Sequence, residues 1–320
     1  MARYNVFELT ETMLAGDLPR LNRMLDGLKG EGEPLVLILW SVTEELRLLS
    51  KIKAASEMSK KAISTLTWFI PIAPIALAAA IYFGEFQSSS FLLINRFTQL
   101  LPDTLWAWLT FLGNGWGVFA LAFPLLLLAP RIFSAGILGG AISALASSTL
   151  KNIFDLPRPG GLLEDGSFHR IGDLLQYKAF PSGHTLTAFA IASALYFSCA
   201  KNNRAYLLIL FLIASLVGLS RNAVGAHWLT DVLAGAGVGM WCGMIGAYLA
   251  NYLPESQLKP QALWTRFIAV GGLVSIYAHY SQVMDLELNL PLQYASIAII
   301  TITLIFFIKA QASHSQTNVE

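Results

Sequence analysis

The chain has 320 residues, 55% hydrophobic and 13% charged, an apolar share well beyond that of an ordinary soluble domain. Its 21 Lys and Arg against 20 Asp and Glu leave a net charge of +1, and no arginine-rich stripe interleaved with aromatics occurs, so no nucleic-acid partner is expected. The two cysteines, Cys199 and Cys242, lie in apolar runs, support neither a disulfide framework nor a thiolate zinc site, and are assigned to packing.

Residues 1–60 are amphipathic, with Arg20, Arg23, Lys29 and Lys51 spaced among leucines at helical intervals, and read as a soluble helical N-terminal segment. The stretch from Ala2 to Lys53, containing RYNVFELTETMLAGDLPRLNRMLDGLKGEGEPLVLILWSVTEELRLL, resembles part of the C-terminal half of the DNA polymerase III delta subunit over about one sixth of the chain. It carries no catalytic group, and no function is transferred from it. Met58 opens MSKKAISTLTWFIPIAPIALAAAIYF, a short basic lead into an apolar run that reads as a natural start, which makes the preceding residues a fused or misread upstream fragment. The first residues include Glu8 and Glu11 and no basic stretch leading into an apolar run, so no cleavable signal peptide is expected.

A membrane span needs roughly 20 apolar residues. Eight runs are candidates: about 63–84, 113–129, 132–153, 184–199, 204–220, 227–250, 262–280 and 289–308. The chain therefore reads as an all-α polytopic membrane protein, with a core over 61–250, two further spans within 251–310 and a polar, disordered tail over 311–320. Between the first two runs, FLLINRFTQLLPDTLWAWLTFLGN mixes Phe97, Trp106 and Trp108 with polar residues, as an aromatic anchor at the membrane interface does. Residues 155–181, rich in Gly, Pro and acids, form a loop. Basic residues set the orientation. With Lys60 and Lys61 cytoplasmic, eight crossings put Arg131, Lys201, Arg204, Lys259, Arg266 and Lys309 on the same side. Lys151, Arg158 and Arg221, with Arg96, Arg170 and Lys178, then face outward, toward the periplasm or exterior of a bacterial inner membrane.

Three clusters carry chemistry: KNIFDLPRP from Lys151, PSGH from Pro181, and SRNAVGAHWLTD from Ser220. Lys151 and Arg158 supply fixed positive charge, and Arg221 adds a planar fork that matches phosphate oxygens. Pro157 and Pro159 end helical pairing and present Arg158 from a constrained turn. Ser182 is placed to cap the helix that follows, and Gly183 admits close approach of a ligand to its N–H groups. His184, in the first turn, is placed as a general acid. His227 and Asp231 stand four apart at the start of the sixth run, where they share a helix face as nucleophile and orienting partner. No metal or cofactor is expected, because Lys and Arg neutralise the charge.

The pattern Lys-x6-Arg-Pro, Pro-Ser-Gly-His, Ser-Arg-x5-His-x3-Asp resembles the signature of the type 2 phosphatidic acid phosphatase superfamily, matching at all eleven specified residues. The resemblance covers roughly residues 63–250 and implies a six-helix membrane core with the site at its outer face. It implies phosphate binding by Lys151, Arg158, Ser182, Gly183 and Arg221, with His184 as acid, His227 as nucleophile and Asp231 as its partner. The expected substrate is a membrane lipid phosphate or diphosphate, such as undecaprenyl diphosphate, phosphatidylglycerol phosphate or phosphatidic acid. The alternatives are a lipid phosphotransferase working through the same site and a membrane protein that binds phospholipid without turnover. His169 reads as a solvated loop residue, and His279 and His314 as incidental.

Overall fold

The computed structural model describes residues 8–9, 12–13, 17–31, 43–44, 47 and 63–316. The chain divides into two compact units, 1–62 and 63–320. Every regular element among the described residues is helical.

In the first unit, α1 (Leu18–Gly30) begins where Asp17 accepts the Arg20 N–H at 3.0 Å, with Pro19 in its first turn. Met24 and Leu28 bury one face against Leu9, while Arg20, Arg23 and Lys29 stay exposed. The polymerase-subunit resemblance and the start at Met58 fall mostly outside the described residues, as do Lys51, Lys60, Lys61 and His314 side chains.

The second unit contains α2 (Ile72–Phe83), α3 (Gln87–Thr98), α4 (Asp103–Phe111), α5 (Gly115–Ala122), α6 (Pro130–Phe154), α7 (Gly183–Ser198), α8 (Arg204–Ala223), α9 (Leu229–Ala250), α10 (Leu263–Ser281) and α11 (Leu290–Gln316). Five stretches are long and apolar enough to cross a membrane: Thr65–Phe83, Pro130–Leu162, Arg204–Ala223, Leu229–Ala250 and Glu287–Ala312; the bent pair α4–α5 raises the count to six. The expectation of eight is thus corrected among the described residues. The run 113–129 is no single helix: α4 meets α5 at 73° around Gly113, and the chain breaks again at Phe123–Pro124. With 16 residues, α7 is too short. Arg266 and His279 dilute the apolar run of α10.

Glycine brings α6, α7 and α9 into backbone contact. A Cβ at Gly246 would stand 2.6 Å from the Ala135 carbonyl oxygen of α6, and one at Gly235 would stand 2.8 Å from the Ser182 oxygen at the mouth of α7. The α10–α11 hairpin packs onto the same body through Phe123, Phe133, Ile268, Ile300 and Phe307. Outward faces carry Leu145, Leu212 and Phe306, all more than half exposed, as expected of surfaces that meet acyl chains. Trp106 is buried and donates to the Thr98 carbonyl, so of the proposed interface aromatics it belongs to the core, whereas Trp108 remains exposed.

The antiparallel order of α6 to α9 gathers residues 151, 158, 182–184, 221 and 227–231 at one end. The other end is tied by Arg131, which donates to the Ala250 and Leu253 carbonyls and pairs with Glu255 at 2.7 Å. There, too, Gln311 donates to the Pro260 carbonyl, and α11 stays helical through Gln316, into the segment expected to be disordered.

Candidate active site

Helix α6 ends at Phe154, where Asp155 takes a left-handed conformation, φ 39°. The chain then turns, and Arg158 precedes a one-turn helix, Pro159–Leu162, as the two prolines require. Arg158 is almost fully buried, and three carbonyls occupy its fork: Tyr177 at 2.7 Å, Ala226 at 3.1 Å and Lys178 at 3.4 Å. It therefore braces the loop against the residue before His227, with two of its five N–H groups left for an anion. Lys151 reaches α7 from the last turn of α6: a Cβ on Gly183 would lie 3.6 Å from its Nζ and 3.1 Å from Ser147 Oγ. A side chain at position 183 would thus narrow the space between the lysine and the first N–H groups of α7.

Ser182 occupies the N-cap position, but it does not cap with its side chain. Its Oγ accepts from Thr185 Oγ1 at 3.0 Å, and its N–H donates to the Asp231 carbonyl at 3.1 Å. The expected cap is corrected: the hydroxyl is fully buried against Thr185, and the helix N–H groups of the first turn are not taken by it.

Arg221, in the last turn of α8, is buried and donates to Thr110 Oγ1 at 3.3 Å, while its Nε has no partner. Its carbonyl accepts both the Ala226 and His227 N–H groups, closing a turn that needs Gly225 at φ +75°. Asn222 Nδ2 donates to the His227 carbonyl at 2.8 Å, and Asn95 Nδ2 donates to the Asn222 and His169 carbonyls, both at 2.9 Å. These bonds fix the backbone that carries His227.

His227 precedes α9 instead of lying on it, which corrects the shared-face reading. The pair forms nonetheless across the helix N-terminus, with Nδ1 3.2 Å from Asp231 Oδ2. The same oxygen accepts the Trp228 N–H at 2.9 Å, so the carboxylate caps α9 and holds the imidazole at once. With Nδ1 protonated toward Asp231, Nε2 keeps its lone pair. Both side chains are 2% exposed. Burial, then Arg158, Arg221, Lys151 and His184, push the His227 pKa well below the usual 6.5, so the ring is neutral at neutral pH.

Among residues that the sequence did not single out, Thr110, Asn95, Asn114 and Asp285 enter the site or its support; Asp285 Oδ1 lies 3.0 Å from His184 Nε2. None stands in a motif. His169 is no freely solvated residue, because it pairs with Asp103 at 2.8 Å. His279 is buried, with Nδ1 donating to the Ser275 carbonyl at 2.8 Å.

The fold and site define a polytopic helical membrane domain with a buried histidine–aspartate pair and three converging cations at one end. The chain matches the PAP2 superfamily over residues 132–255. It is 35% identical over 97 residues to a lipid A 1-phosphatase of Porphyromonas gingivalis, covering 29% of this chain and 22% of that protein. A lipid A 1-phosphatase of Rhizobium johnstonii is 33% identical over 109 residues, covering 33% of this chain and 42% of that one. The chain thus spans less than half the length of these curated relatives. The crystal structure of Aquifex aeolicus LpxE is 32% identical, with TM-score 0.44 over 50% of this chain and 94% of that one.

Proposed function

We propose that this protein is a metal-independent lipid phosphatase, of phosphate monoesters or diphosphates, that works through a phosphohistidine. The observation that carries the reading is the His227–Asp231 pair, buried beside Lys151, Arg158 and Arg221 and opposite His184. Among the described residues, two carboxylates at the site, Asp231 and Asp285, face the three cations, which leaves positive charge for a phosphate. His227 Nε2 attacks phosphorus and the phosphorus–oxygen bond to the lipid breaks. His184 gives its proton to the departing alkoxide, then takes one from the water that cleaves the phosphorus–nitrogen bond. Lys151, Arg221 and the open N–H groups of α7 hold the charge that develops on the phosphoryl oxygens. Arg131 and Arg204, at the starts of α6 and α8 and so at the end opposite the site, support a site that faces the periplasm or exterior from the inner membrane. The names of the relatives add lipid A 1-phosphate to the candidate substrates.

Purified protein is tested for phosphate release from lipid A 1-phosphate, undecaprenyl diphosphate, phosphatidylglycerol phosphate and phosphatidic acid with EDTA present. Turnover of at least one is expected. Loss of turnover on chelation would sink the metal-independent mechanism, and transfer to an added alcohol with little free phosphate would establish a phosphotransferase instead.

Attack needs neutral His227, whose free-enzyme pKa is pushed well below 6.5. The acid limb of kcat/KM therefore falls well below pH 6.5, and activity persists as pH drops from 7 to about 6. A profile measured with a lipid phosphate whose acid limb is centred at or above 6.5 contradicts this environment for His227.

A further inference from the structure

A second histidine–carboxylate pair faces the first, and its carboxylate comes from outside the residues that match the family. Asp285 lies in the turn between α10 and α11, beyond residue 255. Its Oδ1 is 3.0 Å from His184 Nε2 and its Oδ2 accepts from Asn114 Nδ2 at 2.9 Å. Burial by itself would raise this carboxyl, but His184, Arg221 and Asn114 outweigh it and hold the group ionised, at about 2. The His184 and Asp285 side chains are 20% and 18% exposed, so little solvent screens the pair.

The turn is built to present this carboxylate. Asp285 sits at φ 62°, a left-handed conformation that aspartate adopts more readily than most residues. Buried amides clamp the residues around it. Gln293 Oε1 accepts the Met284 N–H at 3.1 Å, Asn289 Nδ2 donates to the Met284 carbonyl at 3.1 Å, and Gln293 Nε2 donates to the Gln282 and His279 carbonyls at 2.8 and 3.0 Å. Gln293 is 1% exposed and Asn289 0%, so the clamp is part of the hairpin core and not a surface contact. Asn114 approaches from the other side as the N-cap of α5.

We propose that Asp285 is a positioning residue for proton transfer: it holds His184 through Nε2 and leaves Nδ1–H directed to the leaving oxygen of the substrate. The inference rests on the lipid-phosphatase reading, with His184 as acid. As the phosphorus–oxygen bond breaks, its electron pair stays on the leaving oxygen, which takes the proton from Nδ1, while the phosphoryl group passes to His227. The carboxylate stabilises the imidazolium against Arg221, Lys151 and His227, the other titratable or charged groups around it. The C-terminal hairpin thereby becomes part of the catalytic unit.

The Asp285→Asn variant keeps an acceptor for Asn114 and removes the charge. It is compared with the intact protein on a lipid alkyl phosphate and on p-nitrophenyl phosphate, whose leaving group needs little protonation. The variant is expected to lose on the order of 10–100-fold in kcat on the alkyl ester and only a few-fold on the aryl ester, with Asp285→Glu recovering much of the alkyl activity. Equal losses on both esters, or no loss on either, overturn the positioning role. If the intact protein hydrolyses neither ester, the lipid-phosphatase reading itself fails. An arm independent of turnover follows the His184 ring by NMR, assigned by its loss in His184→Gln: its titration midpoint is expected to drop by about one unit in Asp285→Asn. An unmoved midpoint overturns the pairing whatever the activity.

Discussion

His227→Ala is expected to lower kcat for lipid phosphate hydrolysis by on the order of 10,000-fold or more, because it removes the buried imidazole that we propose as the nucleophile of the covalent intermediate. The truncation leaves the local backbone supported: the His227 N–H still donates to the Arg221 carbonyl, Asn222 still donates to the His227 carbonyl, and Asp231 still accepts the Trp228 N–H. The variant should therefore purify as a folded protein, which separates lost chemistry from lost structure. Rapid quenching with labelled substrate should trap an acid-labile phosphoenzyme in the intact protein and none in the variant. Turnover retained within about tenfold would remove His227 from the nucleophile role.

Gly243→Leu has the largest expected effect on the scaffold. A Cβ there would overlap the Ala190 carbonyl oxygen, with Ser193 Cβ at 2.6 Å and the Ala194 nitrogen at 2.8 Å. These neighbours are mainly backbone, so a rotamer change cannot relieve the overlap, and α7 cannot retreat because α6 lies against it through Gly139, whose own Cβ would sit 3.5 Å from Ala194 Cβ of α7. Separating these helices forfeits close contact along the seam and costs more than about 3 kcal/mol. The variant is expected to aggregate or to unfold at a much lower temperature in detergent. Gly140→Ala is the matched comparison, since its Cβ would meet only Ile191 Cδ1, at 3.6 Å, and its unfolding temperature should stay close to that of the parent. Similar melting of Gly243→Leu and the parent would show that the seam tolerates separation.

Much of the site was legible because its chemistry needs particular residue types at fixed spacing. Lys151, Arg158, His184, Arg221, His227 and Asp231 all stand in short motifs, and the structure gathers all three motifs at one end of the bundle. Asp285 was not legible. It is one aspartate in a polar turn, and its meaning depends on an imidazole 101 residues away. Asn95 is similar: its amide reaches Asn222, 127 residues on, and no local pattern marks a polar residue that a distant carbonyl will claim. The Ser182 hydroxyl was misplaced although its partner is local: it accepts from the Thr185 hydroxyl three residues on instead of from a helix N–H.

The apolar runs alone determined the class of this protein, an all-helical membrane chain, because hydrocarbon demands long segments with internally paired backbone groups. They did not determine how many helices cross. Hydropathy cannot distinguish a side chain that faces lipid from one that faces another helix: the Thr65–Phe83 and Leu229–Ala250 stretches are comparably apolar, yet 11% of the first is buried and 67% of the second. Only tertiary packing buried α7 at the centre and brought the turn of the C-terminal hairpin to the motif end, where Asp285 meets His184. Composition set the solvent and spacing set the reacting groups, while contacts between distant segments set which partners those groups meet.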